Sequence, residues 1–82
     1  MTEEDKYLIR NYGFRKDEFD DKLAYWLKKI INHKLLGTIE IFIDSGSFYI
    51  DIVDNRTRDH VTICEMKYSR EKLIEYLNFF DA

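Results

Sequence analysis

Ile39, Ile41 and Ile43 occupy every second position before Ser45-Gly46-Ser47, and Phe48, Ile50 and Ile52 resume the alternation after it. A period of two sends successive side chains to opposite faces, so this stretch reads as a β-hairpin with one isoleucine-rich face that the rest of the chain must cover. Opposed residues of an antiparallel pair share a face, so the odd-numbered set must meet the even-numbered one. A two-residue turn at Gly46-Ser47 meets that condition, suits a glycine-first type II′ turn, and sets Ile43 opposite Ile50 and Ile41 opposite Ile52. It is preferred here to a four-residue loop, whose register would place Glu40 directly against Asp51.

The flanking segments read as helical. Thr2 can cap a short helix with Asp5 three residues on; Tyr7, Leu8 and Tyr12 follow at near-helical spacing and Gly13 ends it. Asp17 is expected to open a second helix, in which Phe19, Leu23, Trp26, Leu27, Ile30 and Ile31 recur at spacings of three and four. Gly37 would stop it, with Lys28, Lys29, His33 and Lys34 near its negative end, and Trp26 would lie in the core. After the polar stretch Asp54-Asn55-Arg56-Thr57-Arg58-Asp59, residues Val61 to Lys67 read as a third strand. Its buried face is ambiguous: Val61 and Ile63 favour one phase, Cys64 and Met66 the other, and a bulge or burial of both faces would reconcile them. Ser69 caps a last helix carrying Leu73, Ile74, Leu77 and Phe80. The expected fold class is α+β, in the order α-α-β-β-β-α, with a three-stranded antiparallel sheet packed against helices in one domain over 1–82.

Composition narrows the class. Apolar residues make up 45% of the 82, with six Phe and six Tyr, enough to build a core without metal or disulfide. A lone cysteine, an acidic N-terminus and no apolar run of membrane-spanning length predict a cytoplasmic protein with no membrane partner. A formal charge of −3, from 13 basic and 16 acidic residues, marks no partner class. The absence of proline and the many Ile, Lys, Asp, Tyr and Phe are expected of an A/T-rich coding source such as a low-GC bacterium, its phages or its plasmids.

Catalytic signals are missing from the spacing. His33 and His60 share no helical or strand interval that suits a metal, and His60 and Cys64 would stand roughly 13 Å apart along a strand, too far for an imidazole-thiolate pair. Cys64 is expected as a small buried hydrophobe. Gly13, Gly37 and Gly46 are isolated, so no phosphate-cradling loop is formed, and no cofactor or metal is expected.

The first functional expectation is a non-catalytic protein-binding module. If the isoleucines face the helices, Glu40, Phe42, Asp44, Tyr49, Asp51 and Val53 point away from them, joining carboxylates to aromatic rings as an interface would. An equal alternative is that the first helix packs across this face and buries Phe42. Small size, acidity, an aromatic sheet face and no catalytic cluster resemble, in type, the inhibitors that phages and plasmids encode against host nucleases, such as anti-CRISPR proteins. The resemblance assigns no residue; it implies an inhibitor of a nucleic-acid-processing enzyme, with another protein as partner. The alternative is a nucleic-acid-binding accessory protein using Arg56 and Arg58 with Lys28, Lys29 and Lys34, beside Lys22, for phosphate contacts. A small enzyme is the third and least supported reading.

Overall fold

The computed structural model describes residues 1–18 and 25–81. Its elements run α1 (Glu3–Tyr12), β1 (Arg15–Glu18), β2 (Tyr25–His33), β3 (Gly37–Asp44), β4 (Ser47–Val53), β5 (His60–Lys67) and α2 (Arg70–Asp81). The five strands form one antiparallel sheet in chain order. The domain is therefore α+β, but its order is α-β-β-β-β-β-α, and the expected three-stranded sheet and second helix are both overturned.

Residues 25–31 carry a pattern that suits either state. Trp26, Leu27, Ile30 and Ile31 are two adjacent pairs four residues apart. A spacing of four lies close to the helical period and is also an even number, so it serves a helix with one apolar stripe and a strand with apolar residues on both faces equally well. Aromatic and β-branched residues tip the balance toward the strand. Once β2 pairs with β3, Leu27 faces Ile43 and Ile31 faces Ile39 on the core side, while Trp26 and Ile30 point to the other side. Phe19, Lys22 and Leu23 of the expected helix lie outside the described residues. Gly37 does adopt a left-handed backbone, with φ 86°, but as the first residue after the Lys34-Leu35-Leu36 turn rather than as a helix cap. His33, expected as a helix-end cation, closes that turn instead: its Nδ1 accepts the backbone N–H groups of Leu35 and Leu36, both at 3.1 Å. β1 escaped the sequence reading because all four of its residues, Arg15-Lys16-Asp17-Glu18, are charged. Such an edge strand discourages pairing with another chain.

The hairpin forms in the register that opposes Glu40 to Asp51, not the one expected from the sequence. The turn is Ser45-Gly46, both with positive φ (52° and 80°), the pattern of a type I′ rather than a type II′ turn. Ile43 therefore opposes Phe48, Ile41 opposes Ile50, and Glu40 opposes Asp51. The like-charge pair is tolerated because each carboxylate has a partner on its outer side. Lys28 Nζ of β2 sits 3.0 Å from Glu40 Oε1, and Thr62 of β5 donates its hydroxyl to Asp51 Oδ1 at 2.7 Å. Those partners are supplied by a neighbouring strand on each side, and the hairpin alone lacks them.

Both helices cover the isoleucine face. Ile39, Ile41, Phe48 and Ile50 are fully buried, together with Leu8 of α1 and Leu73 of α2; Phe14, Leu27, Leu77 and Phe80 complete the cluster. Burial of each large side chain contributes about 1.5–3 kcal/mol. The helix ends follow their local signals. Thr2 Oγ1 accepts from Asp5 N at 3.1 Å and Asp5 Oδ2 accepts from Thr2 N at 3.4 Å, a reciprocal capping box. Gly13 ends α1 in the left-handed conformation, and Lys29 reaches from β2 to donate to the Tyr12 carbonyl, meeting an orphan acceptor at the helix's negative end. Ser69 Oγ accepts from Lys72 N at 3.3 Å at the start of α2. The ambiguous strand β5 is reconciled by a bulge: pairing with β4 shifts between Ile50 and Asp51, so Cys64 and Met66 pack toward the core while Val61 and Ile63 remain exposed.

One polar cluster ties the first helix to the last. Arg70 Nε donates to Glu4 Oε2 at 2.8 Å, its Nη2 donates to Glu4 Oε1, and Tyr68 donates its phenol to the same carboxylate. The Arg70 guanidinium lies 4.0 Å from the centre of the Tyr7 ring. Arg70 holds the Glu4 carboxyl below its ordinary value, and burial followed by the Glu4 charge pushes the Tyr68 phenol up.

Two outcomes are expected. Leu27→Ala should cost about 2–5 kcal/mol, as a buried leucine does. Trp26→Ala should cost less, because its ring lies outside the core; denaturant melts followed by circular dichroism would compare the two, and equal losses would restore a shared core face. A carboxylate whose pKa is lowered on folding stabilises above its unfolded value and loses that contribution as pH falls through the folded one. Glu4→Gln should therefore lower the melting temperature at pH 7, and its gap from the wild type should close as pH drops below the ordinary glutamate value of 4.5. A gap independent of pH would remove the ion pair as its cause.

Candidate functional site

Strand alternation assigns Glu40, Phe42, Asp44, Tyr49, Asp51 and Val53 to the sheet face opposite the isoleucines, and pairing sets them side by side. One cross-strand row runs Arg15, Lys28, Phe42, Tyr49, Glu65, and the next runs Ile30, Glu40, Asp51, Thr62. Among the described residues no helix lies across this face, since Leu8, Leu73, Leu77 and Phe80 all join the cluster on the other side. The alternative in which α1 buries Phe42 is thereby overturned.

The six candidates differ in what they can offer. Glu40 is 8% exposed and held by Lys28; Val53, opposite Thr38 and His60, is 2% exposed. Asp51 accepts the Thr62 hydroxyl and lies 3.4 Å from His60 Nδ1. These three are largely consumed in holding strands together. Phe42, Asp44 and Tyr49 remain half-buried, and with Trp26 they line one shallow depression of about 280 Å³. Trp26 is the residue that the helical reading missed. The signal that could have found it is its even number: once residues 25–33 are read as a strand paired to β3, Trp26 falls on the face of Phe42 and Asp44.

Asp44 accepts from its neighbour Ser45 Oγ at 3.1 Å, and among the described residues no basic side chain pairs with it. Lys28 Nζ stands 5.5 Å from the centre of the Phe42 ring while bound to Glu40, so the chain already places one cation against this aromatic group.

The basic alternative is dispersed by the fold. Lys28 and Lys29, which the expected helix would have placed side by side, project to opposite faces of β2: Lys28 is engaged with Glu40 and Lys29 with the Tyr12 carbonyl. Lys34 lies in the β2–β3 turn, and Arg56 and Arg58 lie in the exposed β4–β5 loop. That loop is organised by its own aspartate: Asp54 Oδ1 accepts from Arg56 N at 2.8 Å and Thr57 N at 3.1 Å.

His60 meets a carboxylate, Asp51, across the β4–β5 pair. The arrangement is nonetheless unlike a nucleophile activated by an imidazole, because Asp51 stands between Thr62 and His60 and accepts from the hydroxyl itself. It lies on an open strand surface, with the His60 side chain 46% exposed. Cys64 is half-buried against the core, where its contact with Tyr76 pushes that phenol's pKa up. Among the described residues no group of three or more His, Cys, Asp or Glu side chains could hold a metal ion. Among the described residues no helix is long and apolar enough to cross a membrane.

Lys28→Ala would leave Glu40 buried beside Asp51 with no compensating charge. It should cost roughly 1–3 kcal/mol. Lys28→Ala combined with Glu40→Gln should recover part of that loss in equilibrium unfolding, and a purely additive double variant would rule out the charge pairing as its cause.

Comparison with protein-family models, with curated proteins and with solved structures returned no match, so the use of this face is argued from its own side chains.

Proposed function

We propose that the protein is a non-catalytic binding module that engages another protein through the sheet face opposite its helices. The observation that carries this reading is the grouping of Trp26, Phe42 and Tyr49 around Asp44 on a face that neither helix covers. Large rings on an open sheet face contribute little to the core, whereas they supply the buried anchors of protein interfaces. Among the described residues, the charges of the outer face are spent on neighbouring strands, and Asp44 of this aromatic group has no basic partner.

The narrower form of the reading is a small inhibitor of phage or plasmid type directed at a nucleic-acid-processing enzyme. Size, a net charge of −3 and the acidic component of the face support it. Asp44 is the best-placed carboxylate for such a role, because Glu40 and Asp51 are engaged within the sheet. The competing reading, a nucleic-acid-binding accessory protein, keeps exposed Arg56 and Arg58 but loses Lys28 and Lys29 to internal partners.

Phe42→Ala and Tyr49→Ala should keep cooperative melting yet weaken capture of the partner from a native-host lysate by roughly tenfold or more, as loss of an interface anchor does. The capture should survive nuclease treatment. Folded variants that retain the same partner equally well would end the proposal, and a capture abolished by nuclease would favour the nucleic-acid reading.

A further inference from the structure

We infer that the depression formed by Trp26, Phe42, Asp44 and Tyr49 holds the cationic side chain of a lysine or arginine presented by the partner protein. This rests on the binding-face reading above and specifies its chemistry. Among the described residues, three aromatic rings and one carboxylate line a depression of about 280 Å³. Aromatic faces carry negative potential and attract a cation held over them, while their apolar surface suits the aliphatic stem of a long basic side chain. A neutral apolar anchor would satisfy the rings and leave Asp44 desolvated without a counter-charge, which is costly. A carboxylate anchor would be repelled. A cation satisfies both halves of the lining.

Charges inside the molecule point the same way. Lys28 already holds its ammonium 5.5 Å from the Phe42 ring, and Lys16 and Arg70 make equivalent contacts with Tyr25 and Tyr7. Lys28 is not part of the lining and is fixed by Glu40 at 3.0 Å, so it does not supply the counter-charge for Asp44. Asp44 ends β3 beside the Ser45-Gly46 turn, at the end of the sheet.

The test uses three capped tripeptides, Gly-Lys-Gly, Gly-Arg-Gly and Gly-norleucine-Gly, the last keeping an aliphatic stem without the charge. Trp26 is the sole tryptophan of the chain, so its fluorescence and its indole N–H resonance report on this depression. The lysine and arginine peptides should perturb Trp26 with an affinity roughly tenfold above that of the norleucine peptide. Asp44→Asn should erase most of that preference, and added salt should weaken it. Tyr49→Leu, which keeps apolar bulk and removes the aromatic face, provides the same comparison should Asp44→Asn fail to fold. Equal binding of the norleucine peptide would overturn the cation inference while leaving the binding face in place. So would a lysine preference unchanged in the folded variants, or no response of Trp26 to either cationic peptide. The capture experiment with Phe42→Ala and Tyr49→Ala decides the binding face separately.

Discussion

Ile39, Ile41, Phe48 and Ile50 are fully buried because two helices lie over one face of the central hairpin, and the other features of the fold follow from that cover. A hairpin cannot bury its apolar face by itself. Leu8 of α1 and Leu73, Leu77 and Phe80 of α2 supply the second layer, and β2 and β5 widen the first. Committing both helices to the same side leaves the opposite side of the sheet to be finished by side chains alone.

That opposite side is built from charge pairs and rings. Opposing Glu40 and Asp51 would repel in an isolated hairpin; in the sheet, Lys28 and Thr62 satisfy them from the two neighbouring strands. The central rows are thus closed off electrostatically, and Val53 is buried near one end. What remains toward the other end is the aromatic group with Asp44. The candidate site is therefore the part of the face left over after the sheet has met its own polar needs. Its position follows from the Ser45-Gly46 turn, because a shift of the turn by one residue would have set Ile43 opposite Ile50 and moved every cross-strand neighbour on this face.

Much of this was legible locally. Thr2 with Asp5, Gly13 and Ser69 are short-range signals whose partners lie within a few residues, and each acts as its chemistry predicts. The alternation of residues 39–43 and 48–52 identified the central strands and put Phe42, Asp44 and Tyr49 on one face before any register was known. The conflict between Val61/Ile63 and Cys64/Met66 allowed either a bulge or burial of both faces of β5, and the structure has the bulge. Trp26 was not legible as part of the site, and Lys28 and Lys29 were not legible as residues of opposite faces, because both facts depend on residues 25–33 being a strand.

The sequence by itself determined the alternation of the central hairpin, the caps of the two terminal helices, and which residues of the hairpin share a face, because those properties arise from contacts within a few residues. Tertiary structure decided the state of residues 25–33, whose spacing of four suits a helix and a two-faced strand alike; pairing with β3 resolved it. It also decided the hairpin register. Avoiding Glu40 opposite Asp51 is sound for two strands in isolation, and it fails here because the adjoining strands supply partners: Lys28 of β2 offsets the Glu40 charge and Thr62 of β5 hydrogen-bonds Asp51.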